Sequence, residues 1–283
     1  IRDRWYGSDL SRWLWFRRIL CLLSYSEIIT ELINLQIAYQ SSTGKVRDKN
    51  EDAVGAFKNQ NGLVLALITD GIGGNNAGEV ASQMVVTHIG EAFEATAISS
   101  LDKIETWFEN QLAKENTAII DESNTDTRLH GMGTTIVAAL IDGKQSLIAN
   151  IGDSRGYVYS NAQFTQITED HSYVNELVKH GDITPDQAKT NPYKNIITKS
   201  LGINSDSAAD FKPYTAQPGD QIMLCTDGLT NMVDDSDIEK ILAMDEELQS
   251  KCDMLVSLAN ENGGLDNITV LIAKYDSEVT ADE

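Results

Sequence analysis

Four short apolar runs constrain this chain more than any other feature. Residues 63–69 (LVLALIT), 146–151 (SLIANI), 221–226 (QIMLCT) and 267–274 (NITVLIAK) each have an aspartate at one end: Asp70, Asp153 just past Gly152, Asp227 and Asp266. Runs this rich in Val, Ile, Leu and Thr, bounded by Gly, Asp or Asn, read as strands. A fifth run, 134–141, joins 146–151 through Asp142-Gly143, as a tight hairpin would. Between the runs, residues 77–94, 101–121, 172–180 and 246–260 carry helical spacing. Two helical segments in succession before the next strands predict a layered α+β domain rather than strict βαβ alternation. Thr184 ahead of Pro185 predicts a helix start, and Gly181 after His180 a helix end. Residues 172–200 therefore read as short helices joined by tight turns.

The rest of the chain bounds the options. At 283 residues it can hold one large domain. Its 22 Lys and Arg against 43 Asp and Glu give a net charge of −21, which excludes a non-specific nucleic-acid binder. Residues 1–35 stand apart as an N-terminal extension: they hold three of the four tryptophans and five arginines against four acids, leaving 17 cations and 39 anions to the remainder. Within the extension, residues 10–23 could form an amphipathic helix, and its longest apolar run, 19–23, is far short of the roughly 20 residues a membrane span needs. The domain is expected over 36–277, followed by an acidic tail, 278–283. Cys21, Cys225 and Cys252 form no C-x-x-C pair, so neither a disulfide framework nor a zinc knuckle is expected, and a reducing cytoplasm fits.

Any one of the strand-end aspartates could be a solvated turn residue. Asp70-Gly71 and Asp227-Gly228 fit that reading less well, because no return strand follows them at once. Several carboxylates gathered at strand ends repel and are costly to desolvate unless cations neutralise them. Few lysines or arginines lie near them in sequence, and oxygen ligands select Mg²⁺, Mn²⁺ or Ca²⁺ where zinc would call on His or Cys. A glycine beside such an aspartate lets the backbone come close and offers its carbonyl. Arg47, in GKVRDKNED, is either a surface ion pair or a guanidinium fork for a phosphate oxyanion.

The ordered set R-D-K-N-E-D (47–52), D-G-I-G-G (70–74), G-M-G-T-T (131–135), G-D-S-R (152–155), D-H-S (170–172), I-T-K-S-L-G (197–202), T-D-G-L-T (226–230) and G-G-L-D-N-I-T (263–269) resembles the metal-dependent serine/threonine protein phosphatases of the type 2C-like family, in their bacterial form. The resemblance implies a central sandwich of two mainly antiparallel sheets flanked by helices on both sides, four layers in all. It implies Asp70, Asp227 and Asp266 as ligands of one Mn²⁺ or Mg²⁺, Asp70 and the Gly71 carbonyl as ligands of a second, and Asp153 with Asp227 at a third, weaker ion. Glu51 and Asp52 match the acids that hold metal-bound waters, and Arg47 the phosphate-binding arginine. His171 and Asn267 are accessory candidates. Residues 172–195 correspond to the flap beside the cleft. The implied chemistry is in-line attack on phosphorus by a metal-bridged hydroxide, without a phosphoenzyme. The third position of D-G-x-G-G is Ile72 where animal members carry a histidine, so the leaving-group proton must come from a metal-bound water or another group; His171 is a candidate, with a structural role orienting its loop by hydrogen bonding the preferred reading. The implied clients are phosphoproteins, including a eukaryotic-like serine/threonine kinase. A monomer in the cytoplasm is expected, with no nucleic-acid partner and no transmembrane segment.

Overall fold

The computed structural model describes residues 35–73 and 77–276; the extension up to residue 34 with Cys21 and its 10–23 stretch, Gly74 of D-G-I-G-G, and the tail 278–283 lie outside the described residues. The runs that are apolar without alternation are strands buried on both faces. In β3 (Val64–Ile72), Val64, Ala66 and Ile68 point between two sheets, where they meet Val137 and Ala139 of β5 (Ile136–Asp142). Ile222 and Leu224 of β10 (Gln221–Cys225) and Leu271 and Ala273 of β11 (Ile268–Tyr275) complete that layer. Leu65 and Leu67 face the other way, against Val85, Ile89 and Phe93 of α1 (Ala77–Glu94) and Phe108 and Leu112 of α2 (Leu101–Thr125). On the opposite outer face, Met223, Cys225, Val270 and Ile272 pack on Ile238 and Leu242 of α6 (Asp235–Leu242) and Cys252 and Leu255 of α7 (Leu248–Glu261). The result is the expected four-layer α+β sandwich, and the absence of a polar face explains the unbroken hydrophobicity of its central strands.

One sheet orders β1 (Leu35–Ser42), β11, β10, β7 (Arg155–Ser160) and β8 (Gln163–Gln166). The other orders β2 (Asp52–Lys58), β3, β5, β6 (Gln145–Ile151) and β9 (Asp210–Thr215), with the two-residue β4 (Gly133–Thr134) beside β3. Every pairing is antiparallel. Register gathers the ends that matter: Asp52 lies opposite Asp70, Ser42 opposite Ile268, and Cys225 opposite both Val270 and Arg155.

Asp142-Gly143 makes the expected hairpin, with Asp142 opposite Gln145 and Gly143 at φ 63°. α3 (Tyr173–His180) ends on Gly181 at φ 78°, and α4 (Pro185–Lys189) begins with a complete capping box, Thr184 and Gln187 bonding each other's backbone. Three features differ from the sequence reading. Asp70 does not end its strand, since β3 continues to Ile72. Asp227 opens a one-turn helix, α5 (Asp227–Thr230), and α2 runs four residues past 121. Among the described residues no helix is long and apolar enough to cross a membrane.

Candidate active site

The mouth of the sandwich is built from β-strand ends that belong to both sheets. Asp52 starts β2, and its Oδ2 accepts hydrogen bonds from Thr226 Oγ1 (3.0 Å) at the end of β10 and from Thr269 Oγ1 (2.6 Å) in β11. One carboxylate oxygen thereby stitches the two sheets together. Its other oxygen, Oδ1, is buried with no hydrogen-bond partner. Asp153, also buried, has an Oδ1 in the same condition.

The glycines of both D-G pairs serve close approach rather than turns. A side chain at Gly71 would collide with the backbone of Gly78 in the first turn of α1 and of Glu51, and one at Gly228 with the carbonyl of Asn267. The Gly71 N–H donates to the Glu51 carbonyl at 3.1 Å. Asn267 holds the loop that carries Arg47 and Glu51: its Oδ1 accepts from the Glu51 N–H (2.8 Å), and its Nδ2 donates to the carbonyls of Thr43 (2.9 Å) and Lys49 (2.7 Å).

The acids feel one another. Burial raises the Asp70 carboxyl well above the usual carboxylate range, and the charges of Asp52, Asp227, Asp153 and Asp266 add to the effect. Burial lifts Asp52 to about 7 against its two threonine bonds. It lifts Asp153 to about 8, helped by Asp227 and Asp170, and Asp227 to about 6, helped by Asp266 and opposed by Arg155, Asn231 and Lys194. Glu51 is raised by burial, with Arg47 and the backbone of Glu79 at the N-terminus of α1 acting against it.

The acids are electrostatic neighbours and not a closed cage. Among the described residues no group of three or more His, Cys, Asp or Glu side chains is drawn tightly enough to hold an ion as placed. Asp266 turns its Oδ2 to Arg47 Nη2 (2.8 Å), and Asp227 turns its Oδ2 to Asn231 Nδ2 (2.9 Å). The donor set nonetheless fits a hard divalent cation: the six acids offer only oxygen, and two bare carboxylate oxygens are buried where only a cation or a proton could offset their cost. Arg47 is half-exposed at the rim, where its Nη2 donates to Asp266 and its planar fork of N–H donors faces the mouth of the sandwich.

His171 has both ring nitrogens engaged. Nδ1 accepts from the Gly152 N–H (3.1 Å), which leaves the proton on Nε2, 3.4 Å from Asp210 Oδ2. Sequence reasoning missed the neighbours that set these groups in place: Glu79, Thr226, Thr269, Asn231, and the pair in which Arg155 grips Asp170 at 2.7–3.0 Å. For Thr226, Thr269, Arg155 and Asp170 the available signal was their position inside the motifs T-D-G, N-I-T, G-D-S-R and D-H-S; Glu79 and Asn231 lie outside them and carried none.

An antiparallel sandwich sheathed in helices, with buried acids at one mouth and the Arg47 guanidinium at its rim, is the layout of an enzyme that hydrolyses phosphate esters. Residues 41–265 match the family model described as Protein phosphatase 2C. The serine/threonine phosphatase stp of Listeria monocytogenes serotype 4b is 41% identical over 239 residues, which are 84% of this chain and 95% of that protein. The serine/threonine phosphatase of S. agalactiae superposes with a TM-score of 0.83 at 38% identity, covering 86% of this chain and all of that one. The catalytic domain of the phosphatase PstP, solved in complex with two manganese ions, gives 0.76 at 34% identity over 86% of this chain and 99% of that one. The chain belongs to the protein phosphatase 2C family and is a serine/threonine protein phosphatase.

Proposed function

We propose that the reaction is metal-dependent hydrolysis, carried by Asp70, Asp227, Asp266 and the Gly71 carbonyl as holders of two Mn²⁺ or Mg²⁺ ions, with Asp153 serving a third. The observation that supports this is the buried acid cluster itself, with its raised carboxyls and the two partnerless oxygens of Asp52 and Asp153. Bound there, such ions supply a water acidic enough to attack phosphorus near neutral pH. Glu51 and Asp52 would orient such a water by hydrogen bonds, Asp52 through the oxygen its threonines leave free. Arg47 steadies the phosphoryl oxygens at the rim. His171 braces the 152–154 loop rather than protonating the leaving group, because each ring nitrogen already has a partner. The folded domain is proposed over 36–277, with β1 already begun one residue earlier at the buried Leu35. A serine/threonine kinase as the opposing enzyme and a monomer in the cytoplasm belong to the same reading, the kinase from the family resemblance and the reducing cytoplasm from the cysteine pattern.

Metal-stripped protein, titrated with Mn²⁺, Mg²⁺ and Ca²⁺ and supplied with a phosphothreonine peptide, is expected to be silent until Mn²⁺ or Mg²⁺ is added. Arg47→Ala is expected to raise KM by about tenfold with little change in kcat, the signature of lost substrate binding. Turnover by the stripped protein would overturn the metal reading.

A further inference from the structure

The T-T of G-M-G-T-T and the serine of G-D-S-R have no part in the chemistry proposed above, yet they meet behind it. Register places Asp70 of β3 opposite Thr135, between the pairs Ile68–Val137 and Gly71–Thr134. An antiparallel pair of this kind exchanges two backbone bonds. Only one is made: the Thr135 N–H donates to the Asp70 carbonyl at 2.9 Å. The Asp70 N–H instead donates to Thr135 Oγ1 at 3.0 Å, and Thr134 Oγ1 donates both to the Asp70 carbonyl (2.9 Å) and to the Thr135 carbonyl (3.0 Å). The side chains of the T-T pair thus replace part of the ladder at the one strand residue shared by both proposed ions.

The same Thr135 hydroxyl lies 2.7 Å from Ser154 Oγ, and both residues are buried. Ser154 follows Asp153 directly. Gly152, at φ 108°, lies so close to Thr135 that a side chain there would run into the threonine's Cβ and Cγ2. The 152–154 loop is therefore held to Thr135, and through it to Asp70 of β3, by one hydroxyl pair and one tight glycine contact, while a carboxylate with a bare oxygen sits between them.

We propose that Thr135 and Ser154 are positioning residues whose paired hydroxyls lock the Asp70 strand to the Asp153 loop, so that cation affinity at the cluster depends on the link between them. The inference rests on the metal reading of the preceding section. Ligand geometry tolerates little drift, and outer-shell partners typically change metal affinity by about ten- to a hundredfold. Thr135→Val keeps the shape and deletes the hydroxyl, Thr135→Ser keeps the hydroxyl, and Ser154→Ala removes the other half of the pair.

The test is calorimetric titration of the full chain with Mn²⁺ alone, with circular dichroism to confirm folding. Thr135→Val and Ser154→Ala are each expected to weaken Mn²⁺ binding by about tenfold. The double variant is expected to lose less than the product of the two, because both remove one interaction. Thr135→Ser is expected to bind within about twofold of wild type, since the hydroxyl is what it retains. Should Thr135→Val fail to fold, Ser154→Ala and Thr135→Ser carry the comparison. Unchanged Mn²⁺ affinity in folded variants, even with a lowered melting temperature, would overturn the proposal, as would full multiplicativity in the double variant. Wild-type protein that takes up no Mn²⁺ would instead overturn the metal reading, and this inference with it.

Discussion

The sandwich mouth and the 172–197 segment stand side by side and are built on opposite rules. At the mouth, Asp52, Thr135, Ser154, Thr226 and Thr269 are buried, and their hydrogen bonds cross from sheet to sheet and strand to loop. In the neighbouring segment, α3 buries only Val174 and α4 buries nothing. That segment is closed at its base by an isolated bridge between Ser172 and Ile197, flanked by bonds from Tyr173 N–H to the Ile196 carbonyl (2.8 Å) and from Thr198 N–H to the His171 carbonyl (2.9 Å). Tyr173 and Tyr193, both exposed, meet edge to face within it at 6.2 Å. The proposed chemistry, which must hold charged groups in place, thus falls to the densely hydrogen-bonded part of the molecule, and the segment beside it, with few buried side chains, is expected to open at lower cost.

The largest effect that would break this contrast is at the mouth. Asp70→Asn or Asp227→Asn should cut phosphopeptide turnover by more than the roughly hundredfold that loss of an outer-shell partner costs, because each removes a proposed ligand. The melting temperature of the metal-free protein should not fall, since each replacement removes a charge whose burial is unfavourable. Near-wild-type Mn²⁺-dependent rates in either variant would show that the acids are not the working part.

A smaller effect separates the two regions by pH. The folded-state carboxyls of Asp52, Asp153 and Asp227 lie at about 7, 8 and 6, above the ordinary value near 3.8, so the native protein holds protons that the unfolded chain releases. Stability from these groups is fully present below about pH 4 and is lost as pH rises toward about 8. The melting temperature of metal-free protein should therefore fall over that window, and saturating Mn²⁺ should remove most of the slope. The 172–197 segment supplies no buried acid, so its exchange protection should not follow this trend. A melting temperature independent of pH between 5 and 8 would contradict the raised carboxyls.

How much of this was legible in the sequence follows the same division. β3, β5, β6, β10 and β11 were readable because both faces are covered, which leaves runs without a polar break. β8 and β9 were not: they border their sheets, and neither QFTQ nor DFKPYT has a buried residue. α5 and α6 hid behind acids, since Asp227 opens one and Asp235 and Asp237 fill the first turn of the other, where a helix dipole favours them. Within the site, the aspartates announced themselves by standing at the ends of apolar runs. The hydroxyls that hold them did not, because a threonine in a strand is ordinary and only the fold reveals that Thr135 and Thr269 turn toward a carboxylate's strand.

The smallest effect is the sharpest probe of independence. Gly181 ends α3 in the left-handed region, φ 78° and ψ 13°, with its N–H donating to the Val178 carbonyl (3.0 Å) and the Asp182 N–H to the Leu177 carbonyl (2.9 Å). A side chain at Gly181 would meet nothing within 4 Å, so Gly181→Ala adds backbone strain and no clash. That strain is about 1 kcal/mol. If the segment opens separately from the sandwich, the cost appears as roughly fivefold faster hydrogen exchange over 173–180 and leaves the global melting temperature almost unmoved. Leu67→Ala, in the packed layer against α1 and α2, should show the reverse: about 2–5 kcal/mol lost from global stability and no preferential change in the segment. A Gly181→Ala variant that melts as a whole by several degrees, with exchange rising evenly across the chain, would mean that the segment and the sandwich unfold as one unit, and the contrast between a fixed mouth and a loosely attached neighbour would have to be given up.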